Sequence, residues 1–137
     1  MCLNASSKTT AKFKADMGAS RRKTFVAYKI VTASCKTTIG YGKYDKSGTY
    51  LSKPQLTKYN RRRPRGIHVY VEPPQLYRSA QFVLKVLCHV DDLVSIETPI
   101  HQDDYRRQAV LRKVVVRKRD FDELRSNIES LKKSVAN

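Results

Sequence analysis

Nine residues from Phe82 to Val90, Phe-Val-Leu-Lys-Val-Leu-Cys-His-Val, form the strongest strand signal in the chain. A strand on its own leaves its backbone N–H and C=O groups unpaired, so this run commits the polypeptide to a sheet. Thr24 to Ala33 supplies a second strand, dense in β-branched and aromatic residues. Phe25, Ala27 and Val31 share one face with Lys29, and Val26, Tyr28 and Ile30 share the other. Two largely apolar faces suit a central position. Ile67 to Glu72 alternates, with Ile67, Val69 and Val71 inward and His68, Tyr70 and Glu72 outward, and Pro73-Pro74 stops it. Gln75 to Gln81 fits one helical turn. Asp91-Asp92 ends the strong strand, Leu93 to Glu97 adds a brief one, and Thr98 to Arg107 reads as a polar loop. Ala109 to Arg117 reads as one further strand with Val110, Val114 and Val116 on one side.

Asp120 is an N-cap candidate, and Glu123 three residues later completes a capping-box pattern. Phe121, Leu124, Ile128, Leu131 and Val135 recur at steps of three and four, one apolar stripe of a helix over 120–135. Lys132 and Lys133 fall in the last turn, where the helix dipole favours cations. The expected fold is α+β: a mainly antiparallel sheet of five or six strands, with this amphipathic C-terminal helix packed on one face. With 137 residues there is room for one core. The expected division is a basic N-terminal arm over 1–23 and one α+β domain over 24–137. Within that domain, 34–66 is a basic Tyr/Gly-rich hairpin region, its short strands near Thr37–Tyr44 and Thr49–Leu51 joined through a turn at Asp45-Lys46-Ser47-Gly48.

Charge is distributed unevenly. Residues 1–66 hold 16 Lys and Arg against two Asp and Glu, whereas 67–137 hold 12 against 10, so +14 of the net +16 lies in the first half. A polyanionic partner needs positive charge gathered where phosphates lie. The guanidinium of Arg donates two parallel hydrogen bonds to phosphate, and a Tyr ring offers a face on which an unpaired base stacks. The candidate nucleic-acid-binding residues are therefore Arg21, Arg22, Lys23, Tyr41, Lys43, Tyr44, Lys46, Lys58, Tyr59, Arg61, Arg62, Arg63, Arg65 and His68. No recognition helix accompanies them, so single-stranded or irregular RNA, or single-stranded DNA, is favoured over a duplex groove.

Other chemistry has little to stand on. Arg65, His68 and Tyr70 form a conceivable anion site with His89 or Glu72 as acid or base, but a nucleophile elbow, a Gly-rich phosphate loop and a metal triad are all absent. No catalytic residue and no cofactor are expected. Asp91-Asp92 and Asp103-Asp104 are carboxylate pairs in turn settings rather than a convergent oxygen cage, so no metal site is expected either. Cys2, Cys35 and Cys88 are odd in number and widely spaced, which gives no disulfide framework and no zinc pattern. Met1 to Lys14 lacks the apolar stretch of a signal peptide, and no run approaches the ~20 apolar residues of a membrane span. The expectation is an intracellular, reducing location without a membrane partner.

Met1-Cys2-Leu3, Val26-Ala27-Tyr28-Lys29-Ile30-Val31, Gly66-Ile67-His68-Val69-Tyr70 and the later strand ending in Val90-Asp91 follow one another in an order that resembles small uncharacterised proteins of large DNA viruses and bacteriophages. The resemblance implies a viral accessory or virion origin and supplies no activity. Expected first is a nucleic-acid-binding protein for RNA or a viral genome. The alternatives are a viral interaction protein docking on an acidic host or virion protein, and an enzyme acting on a phosphate-containing substrate.

Overall fold

The structure, a computed structural model, describes residues 3–5, 11–16, 23–37, 42–52, 66–76, 81–99 and 107–136. In chain order these contain β1 (Leu3–Ala5), a short helix α1 (11–16), β2 (Thr24–Thr32), β3 (Gly48–Leu51), β4 (Ile67–Tyr70) and β5 (Gln81–His89). A 3-10 turn at Val90–Asp92 leads to β6 (Leu93–Pro99), β7 (Gln108–Leu111), β8 (Lys113–Val116) and α2 (Lys118–Ala136). The α+β architecture is the expected one, antiparallel throughout, with strand order β1-β6-β7-β4-β2-β5-β8-β3. Eight strands are present because short segments take up edges that the five or six long runs leave open.

The two strongest sequence signals form the spine. β2 and β5 pair along their whole length, from Thr24↔His89 to Thr32↔Gln81. Ala27, Lys29 and Val31 of β2 and Phe82, Leu84, Val86 and Cys88 of β5 are all buried, so of the two apolar faces of β2 the one carrying Lys29 turns inward.

Arg112 alone separates β7 from β8, yet β4, β2 and β5 stand between them in the ladder. In a flat sheet that is four spacings of ~4.8 Å, about 19 Å. Two Cα steps reach at most about 7 Å. The sheet therefore rolls on itself. β5 and β6, continuous through the 3-10 turn, lie along β8 and β7 (Leu87↔Val115, Leu93↔Leu111), and β4 bridges β7 to β2, which closes the circuit. Phase changes at the closure: Ala109 and Leu111 enter the core before Arg112, and Val114 and Val116 after it. Val110, on the opposite face of β7, is also fully buried. The expected single strand Ala109–Arg117 is thus two strands, with one residue spent on the bend.

Three further expectations are corrected. Thr49–Leu51 is a strand, but its partner is β8 (Thr49↔Val115, Tyr50↔Val114), while Thr37 and Lys36 make only isolated bridges to Val31 and Lys43. Pairing with β8 satisfies the open edge of a Val-rich strand that a local hairpin would have left bare. The N-terminal arm contributes to the sheet, since Leu3–Ala5 pairs with β6. Within it α1 is held by Phe13, whose ring meets Phe25 edge-on at 5.2 Å between centroids. Asp120 is not an N-cap: α2 begins at Lys118, the Arg117 carbonyl accepts from the N–H groups of Asp120 and Phe121, and the Asp120 carboxylate takes the Arg117 guanidinium at 2.6 Å. The stripe itself holds, with Leu124 and Ile128 buried in the common core and Phe121 and Leu131 packed against it. The expected helical turn over Gln75–Gln81 falls largely outside the described residues.

Candidate nucleic-acid interface

Several chain segments meet where the rolled sheet closes. Val90 N–H donates to the Lys23 carbonyl at 2.8 Å, Arg112 N–H to the Asp92 carbonyl at 2.8 Å, and Ser52 N–H to the Arg112 carbonyl at 2.8 Å. Gly66 lies against the same bend: a Cβ placed there would sit 2.6 Å from Val110 Cγ1 and 2.8 Å from the Leu111 carbonyl oxygen, a close approach that only glycine permits. Ser52 and Gly66 bracket the Lys53–Arg65 stretch, and Lys23 follows Arg21-Arg22. The points where two basic runs join the described residues are therefore held at one end of the molecule. Lys23 and Arg112 are exposed there. Lys113 is occupied by Asp92 at 3.6 Å, and His89 accepts the Asp91 N–H at Nδ1, 3.0 Å.

The expected binding residues do not all gather at this end. Arg21, Arg22, Tyr41, Lys58, Tyr59, Arg61, Arg62, Arg63 and Arg65 lie outside the described residues. Lys43 and Lys46 are exposed; Lys43 bridges to Lys36 at the far end of β2, beyond Thr32, whereas the Lys46 carbonyl accepts from the Tyr50 hydroxyl of β3 at 2.6 Å. Eight residues of β2 separate Thr24 from Thr32, about 26 Å at 3.3 Å per residue. Lys43 also faces Asp45 at 3.8 Å. His68 is half-buried on β4.

Tyr44 is a correction. It is 4% exposed, and its ring packs against Tyr50 at 4.6 Å between centroids, so no base can stack on it. Burial pushes its phenol up to about 12. In sequence, a Tyr between lysines looks the same whether the backbone turns its ring toward solvent or toward the core.

Lys29 is the polar residue whose placement the charge pattern did not reveal. It is 8% exposed on the inward face of β2, its Nζ donates to the His68 carbonyl at 2.6 Å, and it lies 5.6 Å from the Tyr44 ring centre. Burial pulls its ammonium down to about 8, with a small opposing effect from Cys88, whose own thiol burial raises to about 12. The signal available in sequence was its position between Ala27 and Val31 on one face.

On the outward face of the spine, Val26, Tyr28 and Lys85 face Arg117, Arg119, Asp120 and Glu123 across an open groove of about 420 Å³. Lys85 Nζ contacts Glu123 at 3.3 Å and Arg117 holds Asp120, which leaves Arg119 as the lining cation with no carboxylate partner among the described residues. Glu72, a conceivable acid or base, is engaged by Arg107, which donates from its backbone N–H at 2.9 Å and from Nε at 2.7 Å. Among the described residues no cluster of three or more His, Cys, Asp or Glu stands ready for a metal, and no helix is long and apolar enough to cross a membrane. Compared with family models, curated proteins and solved structures, the chain matches none.

Proposed function

We propose that the protein binds nucleic acid, RNA in preference, through a basic surface centred on the closure of the rolled sheet. The observation that carries this reading is the joint anchoring of Lys23, Ser52 and Gly66 around Val90–Asp92 and Arg112, which sets the residues adjoining two basic runs of the sequence at one end. Exposed Lys23 and Arg112 add to that end; of its two aspartates Asp92 is engaged by Lys113, while Asp91 is exposed. Lys43, at the opposite end, lies apart from this surface.

Each phosphate that a Lys or Arg neutralises releases condensed counterions, so binding must weaken as salt rises, with a log–log slope of about −0.7 per contact on a single strand. Anisotropy titration of a labelled RNA from 50 to 200 mM salt tests this. The expected result is a loss of at least about tenfold across that range, and a slope reduced by about 1.4 in the Lys23→Gln/Arg112→Gln double variant. Binding indifferent to salt, or preference for an acidic polypeptide over RNA, overturns the reading.

A further inference from the structure

We infer that the groove between the β2–β5 spine and the start of α2 is a stacking site for an unpaired base, so that the nucleic acid this protein takes is single-stranded. The inference rests on the nucleic-acid reading above and adds what the closure end does not supply. Direct pairing sets Tyr28 opposite Tyr70 on β4 and opposite Lys85 on β5, which lines up two tyrosines and a lysine across three strands on the face turned away from the core. Side chains paired in this way stand about 5 Å apart. Tyr28 is half-buried and lines the groove, whereas the ring of Tyr44, on the core side, is shut away.

The groove suits a nucleotide in size and in charge. Its volume of about 420 Å³ falls at the small end of ligand sites, ~300–1,000 Å³. Val26 supplies an apolar wall beside the ring, and the two carboxylates on the α2 side are already taken by Arg117 and Lys85. Arg119 is then the uncompensated charge, placed with Lys118 in the first turn of a helix, where the dipole opposes a cation. An anion bound there relieves that repulsion. A duplex hides the faces of its bases, so a ring on a sheet surface has only an unpaired base to stack on. From Lys23 to Tyr28 is five residues of β2, about 17 Å at 3.3 Å each. A short oligonucleotide covers that distance and engages both places at once.

The test uses the full chain, a labelled 12-nucleotide oligouridine and an RNA duplex of equal length. The wild type is expected to bind the single strand at least about tenfold more tightly. Tyr28→Leu, which keeps apolar bulk without the ring, is expected to lose about 5- to 100-fold on the single strand with an unchanged salt slope. Tyr28→Phe retains the affinity, and Arg119→Gln lowers the slope by about 0.7. Ultraviolet crosslinking of the unaltered protein, mapped by peptide mass, is expected to mark Tyr28, which keeps the proposal testable should a variant misfold. Salt-sensitive binding with equal affinity for both RNAs and no effect of Tyr28→Leu sinks the stacking site and leaves the broader reading standing. Absence of binding to either RNA at low salt removes the reading itself, and with it this inference.

Discussion

Replacing Lys29 by Met tests the account of the core. Lys29 sits on the inward face with Ala27 and Val31, and Tyr44, Cys88 and the His68 carbonyl are what it meets. Its ammonium is held near 8 when folded, against 10.5 for a free side chain. One pKa unit is worth about 1.4 kcal/mol, so carrying this proton inside costs the folded state about 3 kcal/mol wherever both states are protonated. The sign follows from counting protons. Below pH 8 folded and unfolded chains both hold the proton, and the penalty is present in full. Between pH 8 and 10.5 the unfolded chain binds more protons than the folded one, so stability rises with pH. Above 10.5 both are neutral and the penalty is gone.

Urea unfolding of wild type and Lys29→Met at intervals from pH 7 to 10.5 measures it. Absolute stabilities also change because the 15 lysines shed charge and because Cys88 and Tyr44, both held near 12, resist ionising. Those contributions are common to the two proteins, and the difference in unfolding free energy between them isolates position 29. Met preserves length and flexibility in the cavity. It leaves the His68 carbonyl without its Nζ donor, an offset of about 1–3 kcal/mol that depends little on pH. The expected result is a difference that is flat to about pH 8 and then moves by about 3 kcal/mol in favour of wild type by pH 10.5. A difference that stays constant across the range refutes the buried-amine argument, whatever its absolute size.

Gly66→Ala is expected to lower stability by about 1–3 kcal/mol, because the new Cβ meets both Val110 Cγ1 and the Leu111 carbonyl oxygen. Adding Val110→Ala should worsen the thermal midpoint rather than rescue it, since the backbone clash persists and a fully buried side chain is lost. Cys88, 1% exposed with its thiol raised by burial, should react with a thiol reagent only at the rate of global unfolding. Peptide mapping of partly labelled protein should find the half-buried Cys35 modified before Cys88, and early labelling at Cys88 would mean that β5 opens locally.

Where a fold signal is local, the sequence displays it. Composition over Thr24–Ala33 and Phe82–Val90 marked both strands, though not which of the two apolar faces of the first turns inward, and the three-and-four spacing of Phe121, Leu124, Ile128 and Leu131 marked the stripe of α2. The bend at Arg112 was not legible, because no Gly or Pro punctuates Ala109 to Arg117 and a one-residue change of phase only acquires meaning once β4 and β6 lie against one half and β3 and β5 against the other. Tyr50 pairs with Val114 for the same reason: its partner is set by which edge the rolled sheet leaves open, a long-range fact.

The functional signal divided along the same line. Charge asymmetry is a sum over residues and needs no structure to be read, whereas the surface it makes depends on which segments end beside which. β2 begins at the closure and finishes some 26 Å away, so Lys23 and Lys43, both basic and both exposed, serve different ends of the molecule. Tyr28 and Tyr44 part company in the same manner. One lies on the outward side of the spine beside Lys85, and the other is folded in against Lys29. The proposed base-stacking role therefore passes from a tyrosine singled out by its basic neighbours in sequence to one whose basic neighbours, Lys85, Arg117 and Arg119, come from β5 and the β8–α2 junction. Only the pairing of β8 alongside β5, which brings the end of β8 and the first turn of α2 to the rim of the groove, carries those cations to it.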